Sequence, residues 1–279
     1  MQAAKRFARS LFRLGKRFKR LKWKFVWQAL PELGITGSIK LLLAQLLKRR
    51  FSIRPKRYAF PLVVRGVTSD VTAFFSIICR QDYQLPRDAM IETVIDAGAN
   101  AGYACVYFAH HFPNALIFAV EPEDSNYRLL VENTTHYSNI STLNGAITAE
   151  PTKMYLANPR STKKWAFQFR DTPGEGSDPP VDGITIPMIM NRYSLSRIDM
   201  LKIDIEGGEK DLFSRNTTWL AQVNYIFIEI HAGCWKTVLD TISKYEFDCR
   251  ISREYLKIKL EHNAAVEIRT GASLSNEEV

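Results

Sequence analysis

Between residues 5 and 27, Phe7, Leu11, Leu14, Phe18, Leu21 and Phe25 recur every three or four positions, which puts them on one stripe of a helix. Pro31 and Gly34 interrupt that pattern, and a second short helix is predicted over residues 38–50. Residues 61–65 read as a short strand. Thr68-Ser69-Asp70 reads as the cap of a helix running to about residue 80. From residue 92 onward, apolar runs of strand length alternate with helical periodicity. Strands are predicted over residues 93–96, 116–120, 142–146, 184–188, 200–205 and 225–230. Helices are predicted over 102–111, 124–136, from about 209, and over 237–245. A terminal strand pair is predicted over 247–251 and 255–260. Such alternation implies an α/β fold with a mostly parallel sheet and helices on both faces. Residues 151–182 are irregular and rich in Pro, Gly and Ser, and a disordered tail is expected over 270–279.

Charge divides the chain in a way the periodicity does not. Residues 1–57 carry 17 Lys/Arg and a single acid, Glu32, whereas the remainder carries 21 basic and 28 acidic residues. A basic amphipathic helical extension (1–57) therefore precedes a lead-in strand and helix (58–90) and a mildly acidic main domain (91–269). The cationic helix suits an anionic membrane surface, reached through residues 5–27. Packing of its stripe on the body and a cleavable presequence are readings equally open to it. The body lacks the basic and aromatic interleaving of a nucleic-acid surface, so no nucleic-acid partner is expected. The longest apolar stretch near the N-terminus, residues 41–47, is too short to span a bilayer. No apolar signal region follows the early charges, and Cys79, Cys105, Cys234 and Cys249 lack Cys-x-x-Cys spacing. These features give a reduced, cytoplasmic location, peripheral on a membrane face if the basic helix engages one.

In an open parallel sheet, ligands bind beyond the carboxyl ends of the strands. Four apolar runs here end in acids: Asp96, Glu121, Asp204 with Glu206, and Glu229 with His231. Asp96-Ala97-Gly98-Ala99-Asn100-Ala101-Gly102 forms a glycine-containing turn into a helix. A dinucleotide fingerprint would require glycine where Asn100 and Tyr103 stand. Asp96 would also meet a pyrophosphate unfavourably, whereas an amino group suits it. Glu121, stiffened by Pro122, can accept hydrogens from both ribose hydroxyls. Strand alternation puts Asp204 and Glu206 on one side, and likewise Glu229 and His231. That cluster could do base chemistry or hold a divalent cation, and the residues do not choose between them.

At these residues the chain resembles the FkbM family of methyltransferases. The match runs through residues 94–102, Val120-Glu121-Pro122, residues 201–207 and Ile228-Glu229-Ile230-His231, with Arg65–Asp70 similar to the lead-in of some members. The resemblance implies a class I methyltransferase Rossmann-like fold, with a seven-stranded sheet and S-adenosyl-L-methionine as cofactor. Cofactor contacts are then expected from Asp96, Gly98, Asn100, Gly102, Tyr103, Glu121, Pro122, Asn144 and Asp204. The family implies O-methylation of a hydroxyl on a sugar, glycan or natural product. His231 or Asp204 is the favoured base, and Glu206, counted with the catalytic group, and Glu229 take second-choice roles as contacts to acceptor hydroxyls or as metal ligands. Glu206, Glu229 and Trp165, the last within an acceptor lid at residues 154–182, are expected to meet the acceptor. An NAD-linked oxidoreductase and a membrane-associated glycan-binding module with a vestigial pocket are the alternatives.

Overall fold

The computed structural model describes residues 23–66, 69–84, 89–156, 169–170, 172, 180–252 and 255–261. The amphipathic repeat before residue 23, most of the proposed lid with Trp165, and the C-terminal tail lie outside these residues.

The chain begins with helix α1 (Trp23–Leu47), bent at Gly34 where the backbone leaves helical values. A two-stranded antiparallel ribbon follows, β1 (Arg50–Ile53) with β2 (Leu62–Arg65). The helix predicted to residue 50 thus ends at Leu47, and its last residue opens an unforeseen strand. Helix α2 (Asp70–Phe74) continues into a π-helical turn, Phe75–Cys79. The main body then alternates β3 (Thr93–Ala97), α3 (Tyr103–His111), β4 (Leu116–Glu121), α4 (Asp124–Thr134) and β5 (Ile140–Asn144). Four short strands, β6 (Ala146–Ile147), β7 (Lys153–Leu156), β8 (Phe169–Arg170) and β9 (Val181–Ile184), make a side sheet. Helix α5 (Ile186–Arg192), β10 (Ile198–Ile203), α6 (Glu209–Leu212), β11 (Val223–Ile228), α7 (Trp235–Ile242), β12 (Glu246–Ser252) and β13 (Tyr255–Glu261) complete it.

The principal sheet has seven strands in the order β12-β13-β11-β10-β3-β4-β5. Strands β11, β10, β3, β4 and β5 are parallel, and only β13 runs against its neighbours. This is the expected doubly covered α/β architecture. Strand periodicity sorts the core into two layers. Val94, Ile117, Ala119 and Met200 face α1 through α4 on one side. Ile95, Ala97, Phe118, Val120, Leu201 and Ile203 face α5, α6 and α7 on the other.

Two expectations need correction. Residues 184–188 are not a strand: β9 ends at Ile184 and the chain turns into α5. Thr185 caps that helix by accepting a hydrogen bond from the Met188 amide at 3.2 Å, and Pro187 occupies its first turn. Both are helix-start signals that the apolar Ile-Pro-Met-Ile-Met run obscured. The boundary at residue 57 also fails to mark a separate body. Ala29, Leu33, Leu41 and Ala44 of α1 are buried in the same cluster as Val94, Phe108 and Leu130.

Alternation has a further consequence at the centre of the sheet. Asp96 and Lys202 share the parity of Val94 and Met200, so both point beneath α3. They are also directly opposite in the β3–β10 ladder. Lys202 Nζ lies 3.0 Å from Asp96 Oδ1, with both side chains buried. Asp96 Oδ2 accepts a hydrogen bond from Cys105 Sγ of α3 at 3.0 Å. Removing one partner of such a pair leaves a buried charge without compensation. The Lys202→Met variant is expected to lose about 3–5 kcal/mol of stability, read by denaturant unfolding. The Lys202→Met/Asp96→Asn double variant should recover part of it, and an additive loss would refute the coupling.

Candidate active site

Strand β3 ends at Ala97, and the backbone then turns sharply. Gly98 sits at φ +80° and Gly102 at φ +81°, both left-handed. A side chain is doubly excluded at Gly98, where a Cβ would lie 1.9 Å from the carbonyl oxygen of Asp204. The turn after β3 and the loop after β10 are thus in backbone contact. Lys202 reinforces the join, donating from Nζ to the Gly98 carbonyl at 2.6 Å. The Asp204 amide donates to the Ala97 carbonyl at 3.0 Å. Asn100 also adopts positive φ, a conformation asparagine tolerates better than most residues. Its side-chain Oδ1 is buried and has no hydrogen-bond partner among the described residues.

Glu121 closes β4 and is almost fully buried. Its carboxylate accepts from the Asn100 amide at 2.8 Å, the Glu123 amide at 3.0 Å and Asn126 Nδ2 at 3.3 Å. Burial raises its pKa to about 7, against the pull of those three donors. Asn126 is held in turn by Arg65, whose Nη2 donates to Asn126 Oδ1 at 2.7 Å. Arg65 pairs with the buried Asp70 at 2.7 Å. Ser69, at the N-cap of α2, makes no side-chain cap. Asp70 serves Arg65, and through Arg65 and Asn126 supports the Glu121 carboxylate.

The loops after β10 and β11 carry the second group of polar residues. These side chains stand beyond the strand ends, since β10 stops at Ile203 and β11 at Ile228. Their convergence therefore comes from loop conformation, with Glu206 at φ +54°, and not from the strand alternation expected. His231 Nδ1 lies 2.9 Å from Glu209 Oε1, and Nε2 lies 3.2 Å from Glu206 Oε2 and 4.0 Å from Glu229 Oε1. Hydrogen bonds to Glu206 and Glu209 raise the His231 pKa to about 11. The ring is consequently an imidazolium at neutral pH. Burial raises the pKa of Glu206 in spite of His231, whereas at Glu209 the histidine outweighs burial and lowers it. Asp204 stands apart from this pairing. Burial raises its pKa, opposed by Lys202 and His231, and a quarter of its side chain stays exposed. Asp204, Glu206 and His231 place one donor atom each within 4.8 Å of one another. A divalent cation bound there through His231 would have to displace a proton from the ring.

These parts border one cleft of about 750 Å³. Of the expected residues, Gly98, Asn100, Glu121, Pro122, Asp204 and Glu206 line it. Asp96 does not: the cation beside that carboxylate is Lys202 of the protein. Tyr103 and Gly102 are also set back. The Tyr103 hydroxyl donates to the Val63 carbonyl at 2.8 Å, tying α3 to β2. Gly102 packs against Leu130 of α4. Asn144 is exposed and donates to the Glu121 backbone carbonyl at 3.1 Å, supporting the strand end. His231, 3.2 Å from Glu206 and 4.0 Å from Glu229, does not line the cleft, nor does Glu229, and Trp165 lies outside the described residues. Sequence reasoning overlooked Lys202, Asn126 and Thr148. A lysine inside an otherwise apolar strand was the available signal for the first. Asn126 and Thr148, which line the cleft, occupy ordinary helix and loop positions that advertise nothing.

A model of the methyltransferase FkbM domain matches residues 96–249. The chain is similar to the AMB antimetabolite synthetase AmbE of Pseudomonas aeruginosa, 25% identical over 224 residues, which cover 64% of this chain and only 10% of that protein. It is also similar to the hexuronic acid methyltransferase AglP of Haloferax volcanii, 24% identical over 180 residues, covering 61% of this chain and 68% of that one. Among solved structures it is similar to Aeropyrum pernix fibrillarin in complex with S-adenosyl-L-methionine, 14% identical with a TM-score of 0.38, covering 80% and 86% of the two chains. A precorrin-6y C5,15-methyltransferase from Geobacter metallireducens is 12% identical with a TM-score of 0.34, covering 60% and 78%. The family match spans more than half of the chain, from Asp96 through every residue that lines the cleft beyond it, and the protein belongs to the FkbM methyltransferase family.

Proposed function

We propose that this S-adenosyl-L-methionine-dependent methyltransferase methylates a hydroxyl group of a sugar or another hydroxyl-bearing acceptor, with Asp204 as the proton acceptor. The observation that carries the reading is the backbone contact between Gly98 and Asp204, which sets a carboxylate against the cofactor turn inside one cleft. The family assignment sets aside the NAD-linked alternative. The residues present fit the cofactor. Glu121 offers a carboxylate for ribose hydroxyls, and the unpaired Oδ1 of Asn100 offers an acceptor for a donor on the ligand. Gly98 gives backbone access beside them.

S-adenosyl-L-methionine, when bound, supplies a methyl group already activated on a sulfonium. What remains for the protein is to hold the acceptor oxygen in line and take its proton. Asp204 suits that task, because burial raises its affinity for a proton while part of its side chain stays open to the cleft. His231 does not suit it, since its ring is already protonated and engaged by Glu206 and Glu209. Its role in this scheme is to fix Glu206, which lines the cleft and can accept hydrogen bonds from acceptor hydroxyls. The name of AglP specifies hexuronic acid, which makes hexuronic-acid glycosides the first acceptors to try.

The test is transfer of labelled methyl groups from S-adenosyl-L-methionine to a panel of sugars and glycans. Asp204→Asn should lower turnover by about 10²–10⁴-fold. His231→Gln should act mainly on acceptor KM through Glu206. Full turnover in Asp204→Asn would overturn the base assignment, and absence of cofactor binding would favour a non-catalytic glycan-binding module. A second prediction concerns pH. Ionised Glu121 is the form that accepts hydroxyl hydrogens, and its pKa stands at about 7. Cofactor affinity measured by calorimetry should therefore fall as the pH drops through 7. In Glu121→Gln the affinity should be lower and the pH dependence lost.

A further inference from the structure

Helix α1 presents two unlike faces. One is built into the core through Ala29, Leu33, Leu41 and Ala44. On the other, Trp27, Pro31, Ile35 and Ile39 follow one another at intervals of four and are all exposed. Trp27 is 69% exposed and Ile35 73% exposed, which is far from the usual state of such side chains. Spacing by four keeps Trp27 and Pro31 on one side of the segment before the bend at Gly34, and Ile35 and Ile39 on one side of the segment after it. Cations border this stripe. Lys56 reaches the Leu30 carbonyl at 3.3 Å, close to Pro31, and Lys40 adjoins Ile39 and reaches the Ser52 carbonyl at 3.1 Å. Lys48, Arg49 and Arg54 are exposed on the same part of the chain. The one acid among the first 57 residues, Glu32, is turned inward and held by Arg57 Nε at 2.8 Å. The segment therefore offers apolar side chains and positive charge together, with its negative charge hidden.

We infer that this face docks on the surface of an anionic lipid bilayer, with Trp27, Ile35 and Ile39 entering the headgroup region and the flanking lysines and arginines facing lipid phosphates. Charge complementarity favours this occupant. The exposed Lys40, Lys48, Arg49, Arg54 and Lys56 would repel a second copy of the same surface, whereas anionic headgroups neutralise them. An exposed tryptophan on a cationic helix is suited to the interface, where one end of the side chain is apolar and the other wet. The residues from Trp27–Leu47 are long and apolar enough to cross a membrane by length and composition. Their packing points to surface binding instead, because insertion would tear Leu33, Leu41 and Ala44 from the core that also holds Val94 and Phe108.

The experiment is flotation of the full chain with vesicles of phosphatidylcholine alone or mixed with phosphatidylglycerol. Binding is expected only to the anionic vesicles and should weaken as salt is raised. The Trp27→Glu/Ile35→Glu variant should bind at least about tenfold more weakly. Its thermal unfolding midpoint should be unchanged, since both positions are exposed. Equal binding by the variant would overturn the role of these apolar positions. Retention on vesicles through high salt and alkaline carbonate would overturn surface docking in favour of insertion. A change of oligomeric state in the variant without loss of vesicle binding would show that a second copy covers the stripe.

Discussion

The architecture of the cleft hangs on one buried ion pair. Asp96 and Lys202 face each other across the β3–β10 ladder, and the lysine also holds the Gly98 carbonyl. The two strands whose ends build the site are thereby locked at the level where both chains leave the sheet. A hydrophobic pair of similar volume would hold the strands equally well. It would not present a donor to the carbonyl of the turn, nor place a positive charge 3.9 Å from Asp204. The pair thus does for the site what packing alone could not: it sets the position of a backbone turn, and its lysine opposes the burial that raises the pKa of Asp204.

Around that lock the polar residues divide into two groups of different character. On one side, a relay from Asp70 through Arg65 and Asn126 reaches Glu121, so a lead-in ribbon outside the main sheet orients a carboxylate within it. On the other side, His231 is clasped between Glu206 and Glu209 and loses the freedom to act as a base. The two most reactive-looking side chains of the sequence, an aspartate beside a glycine turn and a histidine at a strand end, are both committed to holding others in place. The groups left to meet ligands are their neighbours, Asp204 and Glu206 on one wall and Glu121 with Asn100 on the other.

Much of this was legible in the sequence, and the failures have identifiable causes. Alternating periodicity gave the parallel sheet because each strand is buried on both faces and reads as an unbroken apolar run. The acids at strand ends marked the correct rim of that sheet. The pairing of Asp96 was not legible, because a pattern of residue types does not carry pairing. Its partner sits 106 positions later, and only the register makes the two adjacent. The His231 cluster was foreseen for an inadequate reason, since strand alternation ends before these residues and loop geometry, including positive φ at Glu206, does the gathering. Helix α5 was missed because residues 184–188 read as a short apolar run, which concealed the helical spacing of its buried Ile186, Ile189 and Met190.

The bend at Gly34 and the burial of Leu41 and Ala44 give α1 a double obligation. It is at once a wall of the core and the bearer of the exposed apolar stripe. A detachable leader could be exchanged, trimmed or fused elsewhere without cost to the enzyme behind it. Here, proteolysis between residues 34 and 57 would open the hydrophobic layer beneath α3 and unpair β1 from β2. The exposed apolar positions and a wall of the core are carried by the same helix, so loss of that helix would remove both at once.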